Sequence, residues 1–352
     1  MAYTTIDDPS AYHHTQLYTG NGSSGHSITN DANAGNFKPD WLWLKPRSAS
    51  DNHVVLDSSR TSNKRLKVNS SDAEDTDSTA QITFESDGFD LDTTDGNFNG
   101  SGTTYVAWQW KCNGGVTTSF SESGNNPGGD RQANATAGFS IIDYVGTGGA
   151  GTIEHGLGKV PKWIVFKDRS SDGDDWFVYH ITTGNDGGVR LNSNTADGDD
   201  SNRFNNTSPT TSVFTVGASG GVNDDTKPTI AYCFAPIQGY SKFGSYKGIG
   251  GSDGSFVYLG FKPAWILFKR TDATEDWFLF DSKRDISNPN NDRLLPNLNN
   301  AESESEELDF LSNGFKIRTG SSAVNTSGGT YIYMAFAEHP FVSSKGVPAT
   351  AK

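Results

Sequence analysis

The chain has two cysteines in 352 residues, Cys112 and Cys233, too few for a disulfide framework, so each core must hold together by packing. It has no run of about 18 apolar residues, and so offers no helix able to cross a membrane. Residues 1–14 lack a basic stretch followed by an apolar one, so no secretory signal is expected there. The seven histidines, at 13, 14, 26, 53, 155, 180 and 339, show no metal-ligand spacing such as His-Glu-x-x-His. No metal, cofactor or catalytic residue is therefore expected. Basic residues are outnumbered, 28 against 42 acidic, for a net charge of −14. That balance repels a phosphate backbone, and no nucleic-acid partner is expected. Helical periodicity is almost absent, and only Ala301 to Leu308 suggests a short surface helix.

What is abundant points the other way. The hydrophobic share is only 33%, yet the chain carries 8 Trp, 12 Tyr and 21 Phe, so large rings must supply much of the buried apolar surface. Forty glycines stand among Asn, Asp, Ser and Thr, the punctuation of short strands joined by turns.

The chain is internally repeated. Tyr18-Thr-Gly20-Asn-Gly22, Tyr144-Val-Gly146-Thr-Gly148 and Tyr246-Lys-Gly248-Ile-Gly250 each precede a Pro-x-Trp segment, at Pro39-Asp-Trp41, Pro161-Lys-Trp163 and Pro263-Ala-Trp265. The Tyr-to-Pro spacing is 21 residues in the first copy and 17 in the other two, the excess falling on Asn30–Gly35. Each Trp segment ends in lysine (Lys45, Lys167, Lys269) and is followed by a second apolar stretch opening on His53, Trp176 or Trp277. Copies one and three share a turn, Ser86-Asp-Gly88-Phe89 and Ser312-Asn-Gly314-Phe315, which copy two lacks. All three close on aromatic-rich segments ending near Trp110, Phe234 and Phe336.

The prolines recur after 122 and then 102 residues, too far apart for a stacked solenoid, so each copy is expected to be a domain with its own core. The expected fold is all-β: three tandem antiparallel β-sandwich (jelly-roll-like) domains with an N-terminal arm. The expected divisions are an arm at 1–14, repeat 1 at 15–111, a Gly/Asn/Ser-rich linker at 112–138, repeat 2 at 139–236 and repeat 3 at 237–352. A strand such as Trp41-Leu-Trp-Leu-Lys45, apolar at every position before the lysine, should be covered on both faces.

The recurring Lys45, Lys167 and Lys269 are expected to pair with carboxylates such as Asp57 and Asp281, with His180 at the matching place in copy two, or else to form a recurring ligand site. Trp108, Trp110, Trp176 and Trp277 are expected mostly in a sandwich core, with Trp176 and Trp277 kept as candidate partner contacts because exposed aromatics stack on sugar rings. Asp172-Gly-Asp-Asp175 and Asp197-Gly-Asp-Asp200 resemble pieces of calcium loops, without the twelve-residue EF-hand spacing, and read as surface loops.

The opening Met-Ala-Tyr-Thr-Thr-Ile, Leu17-Tyr-Thr-Gly-Asn-Gly22, Phe37-Lys-Pro-Asp-Trp41-Leu-Trp-Leu-Lys45, Ser86-Asp-Gly-Phe89 and Tyr105-Val-Ala-Trp-Gln-Trp-Lys111 resemble a repeat of virion structural proteins of marine bacteriophages. The resemblance implies a non-enzymatic component of the virion surface: a tail-associated fibre or adhesin, or alternatively a capsid decoration protein. It implies other virion proteins and a host cell-surface glycan or receptor as partners, and a rod-like homotrimer as the assembly. A polysaccharide-binding or polysaccharide-degrading protein is the rival reading from another class.

Overall fold

The computed structural model describes residues 3–31, 37–61, 63–76 and 81–349, and these are built almost wholly of antiparallel strands. The main sheet of each repeat contains the same order of four strands, extended to six strands in repeats 1 and 2. An opening strand (His13–Thr19, Phe139–Val145, Ser241–Lys247) pairs with a closing strand (Thr104–Trp110, Pro228–Phe234, Thr330–Pro340). The closing strand pairs with the Trp strand (Trp41–Pro46, Trp163–Asp168, Phe261–Arg270), which pairs in turn with a follower (Val54–Asp57, Phe177–His180, Trp277–Asp281). A second sheet covers one face of each, as in Gly151–Glu154 with Val213–Val216 of repeat 2.

Side chains alternate across a strand, so the continuous apolar run of each Trp strand faces two different cores. Leu42 and Leu44 pack under the covering sheet of repeat 1, as do Ile164 and Phe166 in repeat 2 and Ile266 and Phe268 in repeat 3. Their neighbours Trp41, Trp43, Trp163, Val165, Trp265 and Leu267 turn the other way, into one core common to all three repeats. There Trp41 lies 5.6 Å from Phe234 between ring centroids, Phe234 6.0 Å from Phe336, and Phe336 5.5 Å from Trp110. The repeats therefore have local cores and also a shared one, which the expectation of separately cored tandem domains, and of a rod, did not include.

The three inter-repeat seams close into a ring. Glu74 N donates to Arg169 O, Asp197 N to Thr271 O, and Glu302 N to Arg47 O, each at 2.8 Å. These link repeat 1 to 2, 2 to 3 and 3 to 1, the closed head-to-tail contact of a three-fold arrangement, here formed within one chain.

Three further expectations are corrected. Residues 112–138 are not a loose linker: Thr118–Phe120 and Gly128–Asn134 add two strands to the repeat 2 sheet, because Arg131, Ala133 and their neighbours find a free edge on the opening strand. Residues 3–14 are not a projecting arm: Thr4 Oγ1 donates to Gln238 O at 2.8 Å, and the His13 ring stacks on Phe336 at 5.1 Å in the shared core. Ala301–Leu308 is not helical: Ser303–Leu311 is a strand, its glutamates' helix propensity overridden by pairing with Asn290–Arg293 and Gly314–Ile317. Of the Asn30–Gly35 insertion, residues 32–35 lie outside the described residues.

Candidate functional site

The Tyr-x-Gly-x-Gly motif is a clamp built around a buried asparagine. In each repeat the tyrosine hydroxyl donates to the main-chain carbonyl of the residue before the asparagine: Tyr18 to Phe98 O, Tyr144 to Val222 O and Tyr246 to Val324 O. The second glycine's N–H donates to the asparagine carbonyl, at 2.9 Å in each of Asn99, Asn223 and Asn325. The asparagine side chain accepts from the residue between the glycines and donates to carbonyls on both sides, Asn325 Nδ2 for instance to Gly251 O and Thr319 O. The first glycine admits no side chain, since a Cβ on Gly20, Gly146 or Gly248 would lie 2.2–2.3 Å from a carbonyl oxygen. The three asparagines recur in the sequence, and their spacing from the closing strand was the signal available for them.

The five candidate contact residues are all buried, and four of them bond to another repeat of the same chain. Trp176 Nε1 donates to Lys67 O of repeat 1 at 2.9 Å, and Trp277 Nε1 to Arg190 O of repeat 2 at 2.8 Å. In repeat 1 the matching residue is His53, whose Nδ1 accepts from Trp43 Nε1 of the same repeat at 3.1 Å. Lys167 Nζ donates to Ser71 O across the first seam, and Lys269 Nζ reaches Asn194 O across the second. Lys45 Nζ stays within repeat 1, on Pro46 O and Ala49 O. Burial lowers the pKa of all three lysines, to about 8 for Lys45 and Lys269. The expected pairing of these lysines with Asp57 and Asp281 is corrected: those carboxylates are taken by Arg60 at 2.7 Å and Arg284 at 2.5 Å. The lysines satisfy main-chain carbonyls at the seams instead, which no spacing rule in the sequence reveals.

The spacing Gly-x-Ser-x-Gly occurs at Gly217–Gly221 and Gly250–Gly254. A nucleophile elbow requires a turn from strand into helix. Neither segment enters a helix; Ser219 donates to Asp200, and Ser252 stands in an exposed turn before the strand Phe256–Tyr258.

A cleft of about 560 Å³ lies where the N-terminal residues and the start of the insertion meet repeat 3, lined among others by His13, His14, Asp31, Lys262, Lys283 and His339. Asp31 bridges His14 Nε2 at 3.0 Å and Lys283 Nζ at 3.2 Å. Burial keeps the His14 imidazole toward its neutral form. The cleft thus offers ammonium and imidazole donors beside carboxylate acceptors, a lining suited to a neutral polyhydroxylated or peptide guest rather than to a strongly charged one.

A family model described as a domain of unknown function, DUF7483, matches residues 8–340, so it spans all three repeats as a unit. No curated protein matches the chain.

Proposed function

We propose that this chain, which belongs to the DUF7483 family, is a non-enzymatic structural protein of a bacteriophage virion surface, with a tail-associated adhesin as the leading reading. The observation that carries the proposal is where the recurrent residues go. The asparagines, tryptophans and lysines that mark the repeats are buried, and the asparagines and lysines, with Trp176 and Trp277, are bonded to the chain itself. Two features that differ between repeats, the N-terminal residues and Asp31, line the cleft. This division suits a rigid body that presents one variable contact site. Host envelope glycans are the partner class that fits the mixed donors and acceptors of that site.

A second reading, capsid decoration, is favoured by the closed three-fold ring of seams. A body with three similar sides suits a three-fold position on a lattice, and it provides within one chain the multiplicity expected of a homotrimer. Gold-labelled antibody against the chain, applied to intact particles and imaged by electron microscopy, tests both. Label on the tail supports the adhesin, label confined to the head supports decoration, and particles without the chain overturn the proposal.

A further inference from the structure

Repeat 2 differs from its neighbours at one internal position where three acidic side chains converge. Carboxylate oxygens of Asp168, Asp174 and Asp224 all lie within 4.8 Å of one another. They come from three separate segments: the end of the Trp strand, the loop before Trp176, and the residue after the clamp asparagine Asn223.

Two observations give this cluster a direction. Asp168 is fully buried, and its Oδ1 already accepts from Ser170 N at 2.7 Å, Ser170 Oγ at 3.0 Å and Ser171 N at 3.1 Å. Its other oxygen, Oδ2, has no hydrogen-bond partner among the described residues and is the one left to face Asp174 and Asp224. An unpartnered buried carboxylate oxygen is costly unless something cationic meets it.

The second observation comes from repeat 3, where register places Arg270 opposite Tyr331 as it places Asp168 opposite Thr229. Glu275 there matches Asp174, and Thr326 matches Asp224, each by its distance from Trp277 or from the clamp asparagine Asn325. The Arg270 guanidinium fills the space between them, with Nη1 at 3.3 Å from Thr326 Oγ1 and 4.0 Å from Glu275 Oε1. Repeat 3 thus supplies its own positive charge at a place where repeat 2 supplies a third carboxylate. Repeat 2 also has Thr229 where the other repeats have the phenols of Tyr105 and Tyr331, which bond the same turn. The nearest ammonium, Lys167 Nζ, is held by the main-chain carbonyls of Ser71 and Asp174.

We infer that Asp168, Asp174 and Asp224 form a binding site for a calcium ion, which takes in repeat 2 the place of the Arg270 guanidinium in repeat 3. Hard carboxylate oxygens carried on a strand end and two loops suit the flexible, many-oxygen shell of calcium better than the rigid octahedron of magnesium. The site ties the Trp strand to the clamp turn, so its occupancy stabilises repeat 2 and, through the shared core, the whole chain.

The full chain, stripped with EDTA and dialysed, is titrated with CaCl₂ by calorimetry, and its Tm is measured with and without millimolar CaCl₂. Saturable heat and a rise in Tm of about 2 °C or more are expected. Asp174→Asn and Asp224→Asn, both at half-buried positions, should abolish the heat and the shift, while Asp199→Asn in an exposed loop should leave both unchanged. A wild-type protein indifferent to CaCl₂ overturns the assignment, and so does an Asp224→Asn protein that responds like wild type. An equal Tm shift with MgCl₂ contradicts the choice of ion.

Discussion

Tyr232 of repeat 2 donates its phenol hydrogen to Oδ2 of Asp57 in repeat 1 at 2.7 Å, with both side chains out of water. The corresponding contact one step round the ring joins Trp108 of repeat 1 to Asp281 of repeat 3 at 3.0 Å. Register puts Met334 at the third donor position and His180 at the third acceptor position. A thioether cannot donate, and here the carboxylate is missing as well, together with the arginine three residues on, whose place is held by Thr183. A carboxylate buried opposite a methionine would be uncompensated, so the paired loss follows from desolvation cost.

Substitutions at these seams should differ by partner. Tyr232→Phe leaves Asp57 with Arg60 and should cost about 1–2 kcal/mol. Asp57→Ala strands the Arg60 charge in the interior and should cost about 3–5 kcal/mol. Met334→Leu at the third seam should cost less than about 1.5 kcal/mol. Urea unfolding of the three variants checks the order, and a Met334→Leu cost matching that of Asp57→Ala would contradict it.

Acid should weaken the fold in two overlapping windows. Burial, with a smaller contribution from His14 and against an opposing pull from the Asp281 carboxylate, holds the His13 pKa down at about 3, and burial with Lys162 does the same for His180. The unfolded chain binds these protons near pH 6.5 and the folded chain does not, so stability is lost as pH falls from about 6.5 toward 3. Glu74 adds to this at lower pH. Its burial raises the pKa, but Arg60, Arg169 and Lys64 outweigh burial and bring it to about 2. Its stabilisation is present above the ordinary carboxylate range and is lost from about pH 4.5 down toward 2. His13→Phe installs the residue that Phe139 provides in repeat 2 and should flatten the Tm profile between pH 6.5 and 4; an unchanged profile would count against the assignment.

The asparagine clamp should be equally important in each repeat. Asn99→Ala, Asn223→Ala and Asn325→Ala each remove at least three hydrogen bonds from a buried turn and should each cost about 2–4 kcal/mol. Gly248→Ala should be at least as damaging, because the new methyl meets the Thr326 carbonyl. Chemical denaturation of the single variants measures this, and a clamp that matters in one repeat only would show up as unequal midpoints.

Much of the fold was legible in the residues. The repeat, the strand that is apolar on both faces, and the hairpin at Ser86–Phe89 all follow from alternation and turn chemistry, which act locally. The shared core was not legible, because Trp41 and Leu42 are equally apolar and nothing in their order says that one faces another repeat. The places of the five candidate residues were hidden for a related reason. Lys45, Lys167 and Lys269 are expected from the sequence to pair with carboxylates or to form a ligand site, and the carbonyls that hold two of them lie 96 and 75 residues away in another repeat. Within the Asp172–Asp175 segment the acidic residues were visible, but only register with repeat 3 singles out Asp174.

The central claim is that the three repeats form one body about a common core. Scanning calorimetry of the intact chain measures it directly, through the ratio of calorimetric to van't Hoff enthalpy. The account predicts one transition with a ratio of about 1; separable transitions, or a ratio approaching about 3, would mean that the repeats unfold as independent domains.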